Sequence, residues 1–313
     1  MPFPSDEKIM ALSRDLLAEL DTIFGLHPGF RPVHAKGVLL QGTFTSSREA
    51  ASLTRAPHAN RPSTPVVARF SDTTGIPVIP DNDPNANPRG MAVRFMLAEH
   101  VHTDIVAHSK NGFPVRTGQE FLEFLRALAA TASSKSSPSP LEAFVRDRPA
   151  ARAFLQPKPI PSSFAREAYF GVTAMRFIDK NGARRHGRYR LVPDAGIEGL
   201  SDAAVAAKGP NFLFEELTQR IASGPIGFRV VVQTARDGDV VDDATALWPE
   251  DRPLVTLGQI ALTTIAPDNA QAQKTTNFDP IPRVDGIEPS DDPLLELRAA
   301  VYLLSGRRRR AAP

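Results

Sequence analysis

Arg298 and Tyr302 lie four residues apart in a run of helix formers from Leu294 to Ser305. On a helix that spacing stacks them on one face. A cation beside a phenol favours the anionic phenolate, and tyrosine is one of the axial ligands that hold haem iron. Arg309, seven residues beyond Tyr302, returns to the same face if the helix runs through Gly306. Asp291, Asp292 and Pro293 supply a capping carboxylate and a first-turn proline. The same pattern also fits an ordinary amphipathic helix with a half-buried tyrosine and a basic tail.

Three upstream stretches carry further chemistry. His34 sits in Arg31–Gly37, at the head of a segment over 31–44 that reads as a strand. A strand would turn Arg31 and Val33 to one face and His34 to the other. A neutral imidazole can move a proton both ways near working pH, although a hydrogen-bonded structural histidine fits as well. Arg69 and Ser71 share one face of a strand over Val66–Ser71. A hydroxyl there can orient an imidazole, and an arginine can grip a carboxylate with two prongs. A strand over Thr103–His108 ends on a polar residue, and Phe113, Arg116 and Phe121 follow. Phe121 suits the cover of a flat cofactor or an ordinary core position.

The elements that must position these residues follow from periodicity and punctuation. Ile9, Leu12, Leu16, Leu17, Leu20 and Ile23 recur at helical spacing over 6–25, closed by Gly25. Met91–Leu97 is a further strand, and 72–90 is a long turn region. Gln119–Thr131 and Leu141–Leu155 read as helices joined by a flexible Ser/Pro stretch over 132–140. Ala168–Ile178 and Arg185–Val192 form a hairpin about Asp179–Gly182. A helix over Asn211–Ser223, capped by Asn211, precedes strands at Gly227–Ala235 and Leu254–Ile265, and 266–290 is irregular. The order predicts an α+β fold: a mainly antiparallel sheet or barrel with helices packed outside.

Composition narrows the chemistry. The 313 residues contain no cysteine. Disulfides, thiolate ligation, iron–sulfur clusters, covalent thioether attachment of haem and a thiol peroxidase are excluded. Lys+Arg minus Asp+Glu is 37 − 35, or +2, and much of the excess is Arg307–Arg310. Four arginines can mean nucleic acid or anionic membrane. A solvated tail or a local anion contact is preferred, because no second basic cluster supports either partner. The first residues lack a basic region followed by an apolar run, and no stretch approaches a membrane span. A cytoplasmic protein is expected. The 29 prolines and 20 glycines predict a loop-rich fold.

Taken in order, these stretches resemble the haem catalases, specifically the short catalase-related peroxidases. The matching segments are Arg31–Gly37, Val67–Gly75, Asn87–Ala92, Asp104–Phe113, Tyr169–Gly171 and Arg188–Arg190. Trp248-Pro249, Asn277–Pro280, Asp285–Ser290 and Arg298–Arg309 complete the set, and Leu213–Leu217 through Pro225 looks like the short members. The resemblance implies a catalase-like antiparallel β-barrel forming one haem-binding domain, with no flavodoxin-like domain. It implies haem b held by Tyr302 as proximal ligand, with Arg298 keeping the phenol ionised. His34 becomes the distal histidine, oriented by Ser71. Arg31, Arg69 and Arg309 become the holders of the haem propionates, with Val33 beside the haem and Phe121 over its distal face.

Two departures stand out. His108 occupies the place of the family's distal asparagine, after Ala107, and Asn87 replaces the usual aspartate before Pro-Arg-Gly. His108 is a candidate second donor, although it also fits a side chain turned away. The implied activity is reduction of hydrogen peroxide or organic hydroperoxides by a small organic donor, with weak catalase activity. A fatty-acid hydroperoxide isomerase or dehydratase on the same fold is the alternative, and a haem carrier a third reading. No nucleic-acid or membrane partner is expected, and a homodimer is favoured over an interlocked tetramer.

Overall fold

The computed structural model describes residues 5–313; Met1–Pro4, part of the stretch read for a leader, lie outside the described residues. Helix α1 (Glu7–Phe24) starts where Asp6 accepts from the Lys8 amide at 2.7 Å. It stops at Gly25, whose φ of +82° suits glycine.

Strand β1 (Gly37–Ser46) begins only after the His34 segment. The expected strand over 31–36 is therefore corrected: these residues bend, and His34 takes φ +57°, a left-handed conformation no strand contains. A single-turn helix, α2 (Pro57–Asn60), interrupts the loop before β2 (Thr64–Ser71). Strands β3 (Gly90–Ala98) and β4 (Val101–His108) follow as expected. Helix α3 (Gly118–Ser133) opens on a reciprocal capping box between Thr117 and Glu120. The helix expected over 141–155 is two, α4 (Pro140–Val145) and α5 (Pro149–Leu155), because Pro149 can start a helix but not continue one.

The expected strand over 168–178 is likewise divided into β5 (Tyr169–Phe170) and β6 (Met175–Ile178). Both pair with β7 (Arg184–Pro193), which confirms the hairpin. A short helix, α6 (Asp202–Ala206), precedes α7 (Phe212–Ser223). Asn211 does not cap α7; a carboxylate from a distant loop does, Asp81 accepting from the Leu213 amide at 2.8 Å. Strands β8 (Ile226–Thr234) and β9 (Leu254–Ile265) complete the wall. The stretch expected to be irregular holds helix α8 (Asn269–Thr275) and strand β10 (Ile287–Pro289). Helix α9 (Leu294–Ala311) is capped by Asp292 and continues through Gly306.

All strand pairings are antiparallel, in the order β7-β5-β4-β3-β2-β1-β9-β8, and β8 returns to β7 to close an eight-stranded barrel. Alternation then sorts the side chains. Val66, Ala68 and Phe70 join Met91, Val93, Phe95, Phe164, Tyr169 and Phe228 in the interior core. Val67, Ala92 and Val106 point outward against Leu39, Ala266 and Phe278. Arg69, Ser71 and His108 alternate with the inward set, so they too line the outer wall. Outside that wall, Leu16 and Leu20 of α1, Leu122 and Leu125 of α3 and Leu297 of α9 form a second core. The site residues therefore occupy the layer between the barrel and its helices. Among the described residues no helix is long and apolar enough to cross a membrane.

Candidate active site

His34 is held by one segment. Its amide donates to the Thr73 carbonyl and that of Ala35 to Thr74, both at 2.9 Å. Its ring Nδ1 lies 3.0 Å from Ser71 Oγ, and the Asp72 carbonyl accepts from the same ring. A ring that donates through Nδ1 keeps its lone pair on Nε2. Burial pushes the His34 pKa down to about 3, helped by Arg69, His108 and Arg31, so the ring is neutral at neutral pH and its lone pair is free to accept a proton. Gly90 makes room for it: a methyl there would stand 2.6 Å from Ser71 Oγ and 2.7 Å from His34 Nδ1.

His108 pairs with Gly90 across the ladder. Its Nδ1 accepts from the Lys110 amide at 3.3 Å, so in the neutral ring the proton sits on Nε2. That Nε2 is buried and unpartnered. Burial again lowers the pKa to about 3, with Arg298 and Lys110 adding to it. His108 is therefore a neutral side chain with one unspent donor.

Arg69 and Arg309 are 4% and 2% exposed, and Arg31 is enclosed beside them. Among the described residues no carboxylate pairs with any of the three. Burial lowers Arg69 to about 9, with Arg309 adding to it, and lowers Arg309 to about 10, with Arg310 adding. Burial also lowers Arg31, with Arg69 and Arg309 next. Carbonyls at the end of α8 anchor Arg31 and Arg309, and Arg69 Nη2 donates to the His34 and Ala35 carbonyls at 2.9 and 3.2 Å. Thr276 O accepts from Arg31 and from Arg309 at 2.8 Å each, while Gln273 takes Arg31 on its carbonyl and Arg69 Nε on Oε1 at 3.0 Å. The carbonyl end of a helix carries the partial negative charge that suits such a cluster. Arg309 is thus no part of a solvated tail, and Arg308 pairs with Asp21 of α1.

On α9, Arg298 Nη2 lies 3.4 Å from the Tyr302 hydroxyl, and its Nη1 is 3.5 Å from Thr173 Oγ1. Arg31 is influenced electrostatically by Tyr302, and His34 by Arg31. His108 is influenced by Arg298. The tyrosine pair and the histidine pair thus lie within electrostatic reach of one another through Arg31 and Arg298. Val33, Phe113, Phe121 and Val301 pack against the core of α1, α3 and α9, with the Phe121 and Phe113 rings 5.2 Å apart. Arg31, His34, Arg69, Ser71, His108, Arg298, Tyr302 and Arg309 thus fall in one region, whereas Arg116 lies apart, paired with Asp242. The structure adds Gly90, Thr173, Gln273 and Thr276. Gln273 and Thr276 escaped because Asn269–Thr275 has helix propensity but no apolar period.

Comparison with known proteins decides the family. The catalase family model matches residues 29–312. This chain belongs to the catalase family. A catalase-related peroxidase of Synechococcus elongatus is 34% identical over 298 residues, 94% of this chain and 87% of that one. The catalase-related peroxidase of Mycolicibacterium paratuberculosis is 36% identical, covering 90% of this chain and 89% of its own. Among solved structures, catalase A of Saccharomyces cerevisiae superposes with a TM-score of 0.77 at 22% identity, over 90% of this chain. The chain spans 61% of that longer catalase. It is a peroxidase enzyme of the catalase family, and the family implies haem. The residues fit that group: three clustered arginines without a counter-anion, Arg69 and Arg309 buried and Arg31 half-buried, a buried donor without a hydrogen-bond partner, and a phenol within electrostatic reach of Arg31. Haem would offer its carboxylates to the arginines and its iron to the phenol.

Proposed function

We propose that this catalase-family peroxidase reduces hydrogen peroxide or organic hydroperoxides with a small organic donor, using haem b held by Tyr302. The observation that carries the proposal is His34: neutral, fixed through Nδ1 to Ser71, and neighbouring Arg31, which also feels Tyr302. Bound haem supplies the redox chemistry that cleaves the peroxide bond. Tyr302 would hold the iron through its phenol oxygen, to which Arg298 would donate. Arg31, Arg69 and Arg309 would take its carboxylates, and Phe121 and Val33 would line its face. His34 Nε2 accepts a proton from one peroxide oxygen and returns it to the other, which leaves as water or alcohol. Ser71 keeps Nδ1 engaged so that Nε2 does this work. His108 Nε2–H would donate to peroxide where the family uses asparagine, because its lone pair on Nδ1 is engaged by the Lys110 amide.

The barrel, α1, α3 and α9 sharing packed cores supports one haem domain. The cytoplasm and a homodimer are the setting we assign to it. The test is the visible spectrum of the haem-loaded protein before and after hydrogen peroxide. A high-spin ferric spectrum that changes on addition and returns faster with an organic donor is expected. Tyr302→Phe should lose the normal haem spectrum; an unchanged Soret band and haem content in that variant would overturn the assignment. With a lipid hydroperoxide the expected product is the alcohol, and an epoxide or ketol would instead indicate an isomerase.

A further inference from the structure

Behind the distal histidine lies a buried ion cluster that the peroxide chemistry above does not use. Asp72, Asp81 and Arg89 are each 0% exposed. Arg89 bonds the Asp72 carboxylate and, through Nη2, the Asp81 carbonyl at 2.5 Å. Lys36 Nζ reaches Asp81 at 2.5 Å and Asp72 at 4.0 Å. Asp81 also caps α7. The second Asp72 oxygen, Oδ2, and Arg89 Nε are buried without a hydrogen-bond partner.

The cluster is tied to His34 through one short segment. Four of the bonds that hold His34 and its neighbour Ala35 come from residues 71–74: Ser71 Oγ, the Asp72 carbonyl at the ring, and the Thr73 and Thr74 carbonyls at the backbone; Arg69 Nη2 adds a bond to the His34 carbonyl at 2.9 Å. A histidine at φ +57° relaxes unless its surroundings hold it. The segment is held in turn by Asp72, through its amide on the Lys36 carbonyl at 3.1 Å and through its side chain on Arg89. Asp72 is the one carboxylate pairing with Arg89 among the described residues, so its charge fixes both ends of the clamp.

We propose that the buried Asp72 carboxylate is a positioning residue for His34, and that protonating or neutralising it loosens the clamp and slows the reaction with peroxide. The proposal rests on His34 being the distal base. The groups facing Asp72 are Lys36 ahead of β1, Arg69 on β2, Asp81 and Arg89 ahead of β3, and Tyr169 on β5. Burial raises the Asp72 pKa and Arg89 lowers it; Asp81 raises it further and Lys36 opposes. The carboxyl therefore titrates above the ordinary carboxylate range. His34, at about 3, titrates too far to the acid side to produce the same limb.

The test follows the Soret change of the haem-loaded protein mixed with hydrogen peroxide across roughly pH 5 to 8, with equilibrium cyanide binding as a readout independent of turnover. Wild type should show a rate that falls on the acid side. Asp72→Asn keeps shape and removes charge; it should abolish that limb, lower the rate roughly tenfold to hundredfold, and weaken cyanide binding at unchanged haem content. Lys36→Met removes a cation that favours the charged form, so it should move the limb to higher pH; this arm stands even if Asp72→Asn fails to fold. Asp72→Asn with the wild-type pH profile and cyanide affinity, or Lys36→Met with an unmoved limb, would overturn the positioning role. His34→Ala at the wild-type rate would instead sink the distal-base assignment beneath it.

Discussion

Gly90→Ala probes the distal side without touching any group that does chemistry. The added methyl would stand 2.7 Å from His34 Nδ1 and 2.6 Å from Ser71 Oγ, where ordinary contact begins near 3.4 Å. The imidazole must therefore retreat by 3.4 − 2.7, at least 0.7 Å. Gly90 itself cannot yield, because β3 pairs it with Ser71 on one side and His108 on the other. The retreat also splits the 3.0 Å contact between Ser71 and His34. Misplacing a catalytic group by ~1 Å costs about a hundredfold in rate, so the expected loss is roughly 25-fold. Overpacking should also cost about 1–3 kcal/mol of stability. Stopped-flow mixing with hydrogen peroxide reads the rate, haem content reads the loading, and a melting curve reads the strain. Gly209→Ala is the control, since a methyl there meets nothing within 4 Å. A fully loaded Gly90→Ala protein reacting as fast as wild type would refute the placement of His34.

Arg309→Met should act with opposite signs on the two forms of the protein. It relieves repulsion with Arg69 and Arg31, so the haem-free protein should melt higher, while haem retention should weaken about tenfold to hundredfold for one charged hydrogen bond lost. Retention equal to wild type in a haem-transfer assay would remove Arg309 from the site. His108→Asn keeps an N–H donor and His108→Leu removes it. Peroxide reactivity should stay within a few fold in the first and fall about tenfold in the second; equal rates in both would deny the donor role. Acid stability follows from three histidines lowered mainly by burial, His34 and His108 to about 3 and His58 to about 4, from an ordinary 6.5. Between 6.5 and those values the unfolded chain binds more protons than the folded one, so their contribution is full above 6.5 and is lost as pH falls. Melting temperature should drop through that window, and His58→Phe should flatten the drop; an unchanged slope would contradict it.

Much of this was legible in the chain because the signals were local. The spacing of Arg298, Tyr302 and Arg309 needed only a continuous helix, and Gly306 did not break it, since α9 packs there against Asn277. Strands β2, β3 and β4 carried their own alternation. What stayed hidden depended on distant partners. His34 looked like a strand residue because Val33 and Val38 flank it, yet carbonyls from 72–74 pull it into a left-handed bend. The anchoring role of α8 was invisible because, Gln273 Oε1 apart, its contribution is backbone carbonyl, to which side-chain type gives no clue. Asn211 looked like a cap and was displaced by Asp81, a competitor 130 residues away in sequence. The ion cluster behind the histidine was likewise unread: Lys36, Asp72, Asp81 and Arg89 show no motif until the chain is folded.

The barrel wall is not equally strong all round. β3 and β4 share an eight-pair ladder, whereas β4 and β5 meet through one pair, His108 opposite Phe170. That slit runs beside the pocket. Parting the wall there breaks fewer backbone bonds than parting it between β3 and β4, so it is the natural place for the cylinder to breathe. Amides bordering it, around 108–110 and 170–171, should exchange with solvent earlier than those of β1 and β2. Each such opening would loosen the backbone that carries His108 while α1, α3 and α9 remain docked, so the placement of that side chain depends on the weakest join in the wall.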